Sequence, residues 1–182
     1  MNLLNRVSWQ KLAAVFLAAT LLALSGCANI PNASASSNQK LVAHAFGISG
    51  WYDDPAWAKQ VDLLAYSYGD KYPMVIRSVK YGEQTLGYSG GVNGSMPVGE
   101  FLYVKWRVKA TGEEIEDKVD LRNRLPDNMF SHTITFVIDG KQLYVYLVTP
   151  QGKKTDAPPI LKTTQSRYYV THEIYPNNTY KK

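Results

Sequence analysis

Few side chains in this sequence combine reactivity with a spacing that chemistry requires. Cys27 is the only thiol among 182 residues. Ser89 lies in a Gly-x-Ser-x-Gly pattern at residues 87–91, which is typical of hydrolase nucleophiles. His44, His132 and His172 are far apart in the sequence and show no close spacing to one another. The candidates are therefore one thiol, one hydroxyl and three isolated imidazoles.

Cys27 follows a short apolar segment that has a basic start. Arg6 and Lys11 precede a run from Leu12 to Leu24 that consists almost wholly of Ala, Leu, Val and Phe. A basic start, a short apolar core and small residues before a cleavage site are typical of a secretory signal peptide. The run is too short to span a bilayer, which needs ~20 apolar residues. We therefore predict that residues 1–26 are a signal peptide.

The residues before the thiol, Leu24-Ser25-Gly26-Cys27, resemble the lipobox of bacterial lipoproteins. This resemblance implies that the Cys27 sulfur receives a diacylglyceryl group and that Cys27 becomes the acylated N-terminus. An ordinary secretory signal that ends near a cysteine is the alternative, but small Ser25 and Gly26 occupy the lipobox positions. Ala28 follows where aspartate would imply retention in the inner membrane. The resemblance thus implies outer-membrane anchoring, with the domain in the periplasm.

Charge and composition exclude several classes of partner. The formal net charge is +5, and two positive charges leave with the signal peptide. The remaining charge is too small and too evenly mixed for nucleic acid binding, which requires clustered basic residues. Residues 28–40 contain one Lys, so no polybasic membrane segment is present. Membrane attachment is therefore expected through the acyl chains on Cys27. No second Cys is available for a disulfide or a thiolate metal site.

The segments after the signal peptide differ in composition. Residues 27–40 are small and polar, which predicts a lipidated, flexible tether. Residues 41–182 are long enough for one domain, and their dominant hydrophobic period is two. The clearest strand alternates apolar residues from Leu102 to Val108 with Lys105, Arg107 and Lys109. A turn at residues 110–112 predicts a hairpin in which these cations face Glu114 and Glu116, on a solvated sheet face.

A second hairpin is predicted on either side of Asp139-Gly140, where two apolar alternations meet. Further strands are expected at Val42–Ile48, Leu63–Tyr68, Met74–Tyr81 and Tyr168–Ile174, and only Asp54–Leu64 has the pattern of a short helix. The sequence therefore predicts a mainly β fold: a single antiparallel β-sandwich or strongly curved sheet with at most one or two short helices.

The candidate catalytic and metal sites lack the surroundings that their chemistry needs. A nucleophile elbow requires a helix after Ser89, and the residues up to Pro97 cannot begin one. Gly87–Gly99 is instead predicted to be a mobile surface loop, a position that often carries recognition. Asp53-Asp54 resembles the start of a calcium loop only superficially, because Pro55 and Trp57 replace oxygen ligands. We predict no enzyme activity, no cofactor and no metal.

Four side chains are candidates for binding a protein partner. Tyr144 and Tyr146 alternate with the apolar residues of their strand, so they point away from the predicted core. Outward Tyr residues supply large contact area at low entropic cost. The alternative, a second layer that covers this face, stays open. Asn93 and Ser95, in the glycine-rich loop, complete the predicted partner-binding set.

The stretch Gly90–Pro150 resembles a loosely defined group of small Gram-negative lipoproteins. The resemblance rests on a glycine-rich loop, on Val104-Lys105-Trp106-Arg107 and on Leu125-Pro126, although the run Gly90-Gly91 is shorter than in the group. Several of these lipoproteins are similar to immunity proteins encoded beside phospholipase effectors of type VI secretion. The resemblance implies a periplasm-facing lipoprotein that neutralises a toxic effector by occlusion. The alternative is a non-enzymatic envelope accessory or assembly lipoprotein; a small hydrolase would rest on Ser89 alone.

Overall fold

The computed structural model describes residues 39–49, 60–70, 72–75, 89–154 and 164–182. The predicted signal peptide and nearly all of the predicted tether lie outside these ranges. Residues Gln39–Lys182 form one compact unit. Among the described residues, no helix has both the length and the apolar character needed to cross a membrane.

The described residues form nine strands and one short helix, so the prediction of a mainly β domain with few helices is confirmed. In chain order the elements are β1 (Leu41–Ser49), β2 (Val61–Tyr68), β3 (Tyr72–Val75), β4 (Ser89–Pro97), β5 (Phe101–Val108), β6 (Glu114–Asp120), β7 (Thr133–Asp139), β8 (Gln142–Gly152), α1 (Thr164–Tyr168) and β9 (Tyr169–Tyr175).

Two sheets contain these strands. The five-stranded sheet has the order β4-β1-β7-β8-β9, and the four-stranded sheet has the order β3-β2-β5-β6. The strand pairs are antiparallel, as predicted, except that β1 and β7 run parallel, with Ala45 opposite Thr133. β1 thus lies between two strands that are distant from it in sequence, and local patterning does not reveal such a pairing.

Aromatic side chains join the two sheets in the core. Phe46 of the five-stranded sheet lies 4.7 Å from Tyr68 of the four-stranded sheet, and Tyr66 lies 5.2 Å from Phe136, between ring centroids. Trp106 is 1% exposed, and its indole N–H donates to the Gly140 carbonyl at 3.0 Å. Burying each such side chain contributes roughly 1.5–3 kcal/mol, so this layer holds the sheets together without a disulfide.

The predicted charge pairing across the β5–β6 hairpin is confirmed in part. Lys105 and Arg107 both contact Glu114, at 3.0 and 2.7 Å. Lys109 instead contacts Asp62 of β2 at 3.1 Å. Asp62 has no exposed surface, although it lies on the face of its sheet opposite the core residue Leu63. Lys105 and Arg107 of β5 therefore contact β6, whereas Lys109, directly after β5, contacts β2.

The β7–β8 hairpin is also confirmed, with a different turn. Asp139 pairs with Gln142, which leaves Gly140 and Lys141 as the two-residue loop. Gly140 has a φ of +57°, whereas Asp139 and Lys141 have negative φ. A positive φ at the first loop position alone is what a type II′ turn requires, and glycine adopts it without a steric penalty.

The predicted helix at Asp54–Leu64 is wrong over residues 61–64, because β2 begins at Val61. The rest of that segment lies outside the described residues, except for Gln60. The strands at Val42–Ile48, Leu63–Tyr68 and Tyr168–Ile174 are confirmed to within two residues, apart from Tyr168, which ends α1. The strand predicted to start at Met74 begins at Tyr72, and its residues beyond Val75 lie outside the described part.

Candidate partner-binding surface

The glycine-rich segment is a strand over most of its length, so the prediction of a loop at Gly87–Gly99 is wrong for residues 89–97. These residues form β4, which pairs with β1 in an unbroken antiparallel register from Leu41 opposite Pro97 to Ser49 opposite Ser89. β4 lies at the edge of the five-stranded sheet. Its composition reads as a loop, but its pairing with β1 makes it extended.

Close approach of two backbones explains the glycines. A Cβ atom on Gly47 would lie 2.3 Å from the Gly90 carbonyl oxygen, and one on Gly91 would lie 2.3 Å from the Phe46 carbonyl oxygen. Both distances are far inside van der Waals contact, and the obstructing atoms are backbone. Glycine inside a strand often marks such an approach. The glycines of β4 are therefore a condition for its pairing with β1.

All four predicted partner-binding residues share one face of the five-stranded sheet. Met96 of β4 is buried in the core, so the alternation of a strand places Asn93 and Ser95 on the opposite, outer face. Tyr144 and Tyr146 of β8 lie on that outer face as well, since their neighbours along the strand are core residues. β1 and β7 separate β4 from β8, which corresponds to ~14 Å at the usual strand spacing.

The two halves of this outer face differ in exposure. Asn93 and Ser95 are exposed, and Tyr144 is half-buried, whereas Tyr146 is only 6% exposed and Val137 is fully buried. The two Tyr rings stack with centroids 6.4 Å apart. Burial, with smaller effects of the nearby Glu173 and Tyr144, raises the pKa of Tyr146 to about 12. The outer face is thus exposed to solvent at β4 and largely buried at β8. A partner-binding role for Tyr144 and Tyr146 stays a prediction.

Three of the four edge strands in the described sheets carry features that discourage further pairing. β6 has the sequence Glu-Ile-Glu-Asp-Lys-Val-Asp, with a charge at five of seven positions. β3 contains Pro73 among its described residues 72–75. Beside β9 the chain folds back, and Thr179 donates from its amide and its hydroxyl to the Glu173 carbonyl, at 2.8 and 2.9 Å. Charge, proline and cover are among the usual protections of an edge.

Within the part of the chain that the structure describes, β4 has none of these protections. It is nine residues long, has no charged residue, and contains proline only at its last position. Its residues Gly91, Asn93, Gly94 and Ser95 are exposed. An edge strand presents outward-pointing N–H and C=O groups that an added strand can bind. Sequence reasoning selected Asn93 and Ser95 but missed their strand; the apolar Val92 and Met96, four positions apart, were the available sign of it.

The remaining candidate residues occupy structural positions. Ser89 is the first residue of β4 and is followed by strand, so the strand–Ser–helix geometry of a nucleophile elbow is not formed. His44 lies in the core, where Nδ1–H donates to the Val42 carbonyl at 2.7 Å and Nε2 accepts from the Tyr68 hydroxyl at 3.0 Å. Burial is the main cause that lowers the His44 pKa, which favours this neutral form.

The other two imidazoles are engaged separately. His132 lies 2.9 Å from the Phe130 carbonyl oxygen through Nδ1, and His172 packs edge-on against Tyr180. Within the described ranges, no group of His, Cys, Asp and Glu is arranged to hold a metal ion. No protein family, curated protein or solved structure matches this chain.

Proposed function

We propose that this protein is a lipid-anchored, periplasm-facing binding protein that neutralises a toxic secreted effector by occlusion, and that β4 is the element to which the effector binds. The observation that carries the proposal is the open edge of β4, which is long, uncharged and exposed, beside three protected edges. The resemblance of residues 90–150 to immunity lipoproteins of phospholipase effectors supports the class of partner.

Strand addition gives a physical mechanism that needs no catalytic group. An extended segment of the effector pairs with the backbone of β4, while Asn93 and Ser95 contact its side chains on the outer face. Main-chain hydrogen bonds give affinity in this mode, and the side chains give specificity. A standard interface buries ~800 Å² on each partner, which one edge strand and the adjoining sheet face can supply. The bound domain then blocks access to the effector's active site.

The acyl chains on Cys27 add a concentration effect. An effector that degrades lipids works at a membrane, and a binding domain held at the same membrane meets it at raised effective concentration. Labelling cells with a fatty-acid analogue tests the anchor: Cys27→Ser is expected to abolish the label, and unchanged labelling contradicts the anchor.

Placing positive charge on β4 tests the binding site. Asn93→Lys combined with Ser95→Lys is expected to weaken binding at least ~100-fold, because lysine on an edge prevents strand addition. The matched control is Asn123→Lys, which adds the same side chain on the exposed connector between β6 and β7. Circular dichroism verifies that each variant is folded, and calorimetry measures binding to a purified toxic effector whose gene neighbours the gene of this protein.

The outcomes separate the candidate functions. Loss of binding and of cell protection in the β4 variant, with both retained in the Asn123 variant, supports the proposal. Equal binding by both variants overturns the β4 site. A neighbouring gene for envelope biogenesis, whose product binds β4, favours the assembly role instead. Loss of protection on Ser89→Ala with binding intact would reopen the hydrolase interpretation.

A further inference from the structure

One end of the five-stranded sheet carries the large apolar side chains that the fold leaves exposed. Among the described residues, these are Leu41, Phe130, Tyr168 and Tyr169, at 62%, 60%, 63% and 43% exposure. Scattered single apolar residues on a surface need no explanation, but a concentration at one place indicates an interaction site.

The strand pairing places them together. Leu41 begins β1, which runs parallel to β7, and the Ser131 amide donates to the Ala43 carbonyl at 2.8 Å, so Phe130 lies at the same end. β8 runs back along β7, with Val148 opposite Thr133, and then reaches Gly152, which pairs with Tyr169. The starts of β1, β7 and β9 therefore share one end of the sheet with the last residues of β8.

The backbone at this end is irregular. β8 has two more residues than β9 between the pairs Val148–Thr171 and Gly152–Tyr169, which is a bulge. Ser131 adopts a φ of 59°, a conformation uncommon for a residue with a side chain. Both features border a shallow cleft of about 290 Å³, whose lining includes Tyr169. Bulges and left-handed residues often redirect side chains at functional sites.

Basic residues accompany the apolar ones. Lys40 and Arg167 are exposed and lie next to Leu41 and Tyr168 in sequence, and exposed Lys154 lies two residues after Gly152. Of the acidic residues near this end, Asp70 and Glu100 border a separate cleft beside Gln39, towards the β4 side, and Asp127 contacts Lys182 at 3.1 Å. The β8–β9 corner therefore combines aromatic rings with positive charge, which is the composition of surfaces that contact lipid headgroups.

We propose that this end of the domain, defined by Leu41, Phe130, Tyr168 and Tyr169, lies on the surface of the bilayer. The inference deepens the proposed function, since it rests on acylation of Cys27. The thirteen residues between Cys27 and Leu41 span at most ~45 Å when fully extended, and the chain enters the domain at Leu41, which belongs to this end of the sheet. Amphipathic Tyr side chains favour the interface between lipid and water, and basic residues favour anionic headgroups.

The contact orients the binding edge. β4 ends at Pro97, opposite Leu41, so its last residues lie at the membrane end and its first residues lie at the far end of the sheet. Nine residues of strand extend ~30 Å, so the open edge begins at the bilayer surface and lies within ~30 Å of it. An effector bound there is held next to its lipid substrate and yet is occluded from it.

A pair of matched cysteine variants tests the orientation in the acylated full-length mature protein. Lys154→Cys lies at the proposed membrane end, and Lys141→Cys lies in the β7–β8 turn at the opposite end; both side chains are exposed lysines. Each thiol carries an environment-sensitive dye, and the protein is reconstituted in vesicles of phosphatidylethanolamine with a minority of phosphatidylglycerol. Spin-labelled lipids are expected to quench the dye at position 154 and to leave the dye at position 141 bright.

A second variant removes the apolar contact. Phe130→Ser with Tyr168→Ser is expected to reduce quenching at position 154 to the level at 141, while effector binding in solution stays unchanged. Equal quenching at both positions in the acylated protein overturns the inference, and so does self-quenching between copies at position 154. Intact mass measures acylation independently. If the protein is unacylated and the quenching difference is present, only the lipid anchor is overturned. If the protein is unacylated and the difference is absent, the lipid anchor and the membrane contact are both overturned.

Discussion

β4 and β6 are both edge strands, but β6 is protected against further strand pairing and β4 is open to it. β6 carries a charge at five of its seven positions, and three side-chain contacts hold it in place. Tyr103 donates to Glu116 at 2.8 Å, and Tyr175 of the other sheet donates to Asp117 at 2.6 Å. The Lys118 ammonium lies 3.9 Å from the centre of the Phe101 ring. These contacts fix β6 and prevent further pairing.

β4 has none of these side-chain contacts among the described residues. What holds it is the backbone approach at Gly47 and Gly91, together with Val92 and Met96 on the core side. Small side chains leave its outer edge accessible along much of its length. An edge strand can therefore be well defined in register and still be open to a partner.

The largest effect is expected from filling the space between β1 and β4. Gly91→Ala places a methyl group 2.3 Å from the Phe46 carbonyl oxygen and 3.0 Å from the Gly47 Cα, so the strands must separate. We expect the free energy of unfolding to fall by about 2–3 kcal/mol. The matched control is Gly152→Ala, since a Cβ there meets no atom within 4 Å. Urea denaturation measures both, and equal midpoints for the two variants would contradict the close-approach explanation.

A smaller effect is expected from protonation of His44, which lies on β1 opposite Gly94 of β4. Burial lowers the His44 pKa below 6.5, the Val42 hydrogen bond opposes the shift, and nearby His132 adds to it. The unfolded chain therefore binds more protons at mildly acidic pH. The His44 contribution to stability is complete above pH 6.5 and is lost as the pH falls towards the lowered pKa.

Denaturation midpoints measured from about pH 8 to pH 5 test this sign, since histidine titrates in that range. In His44→Gln the decrease on acidification is expected to be smaller than in the wild type. The protection of β4 amides against hydrogen exchange, relative to the intrinsic rate at each pH, is expected to fall at the acidic end more than the protection of β6 amides. An unchanged pH dependence in the variant would show that another group is responsible.

The smallest effect is expected at the protected edge. Tyr175→Phe removes the hydroxyl that donates to Asp117 across the two sheets. Asp117 remains partly exposed to water, so we expect a loss of about 1 kcal/mol and no effect on partner binding. Thermal denaturation and calorimetry measure the two quantities. A loss of binding in this variant would place the partner on β6 and would reverse the comparison.

Local sequence patterns predicted the hairpins well and the open edge poorly. β5–β6 and β7–β8 join neighbouring segments, so alternation and a turn contain most of the information. β4 becomes a strand only because β1, some fifty residues earlier, approaches it through Gly47. Burial of Asp62 beside Lys109 has the same origin, because it depends on the pairing of β2 with β5 rather than on its neighbours in sequence.

The candidate site also depends partly on local sequence pattern and partly on tertiary contacts. Strand alternation correctly placed Tyr144 and Tyr146 on the face opposite the core. It gave no access to the burial of Tyr146, which is a tertiary property. Asn93 and Ser95 were selected as loop residues and lie on a strand, where their backbone is as available for recognition as their side chains.

Hydrogen exchange of the backbone amides, measured with and without the purified effector, tests whether the effector binds to the open edge of β4. Because an added strand would pair with the outward N–H groups of β4, we predict slower exchange in residues 89–97 on binding. Residues 114–120 of β6 serve as the internal reference and are expected to exchange at the same rate in both samples. Slower exchange in β6, with β4 unchanged, would contradict the proposal that the open edge of β4 is the binding site.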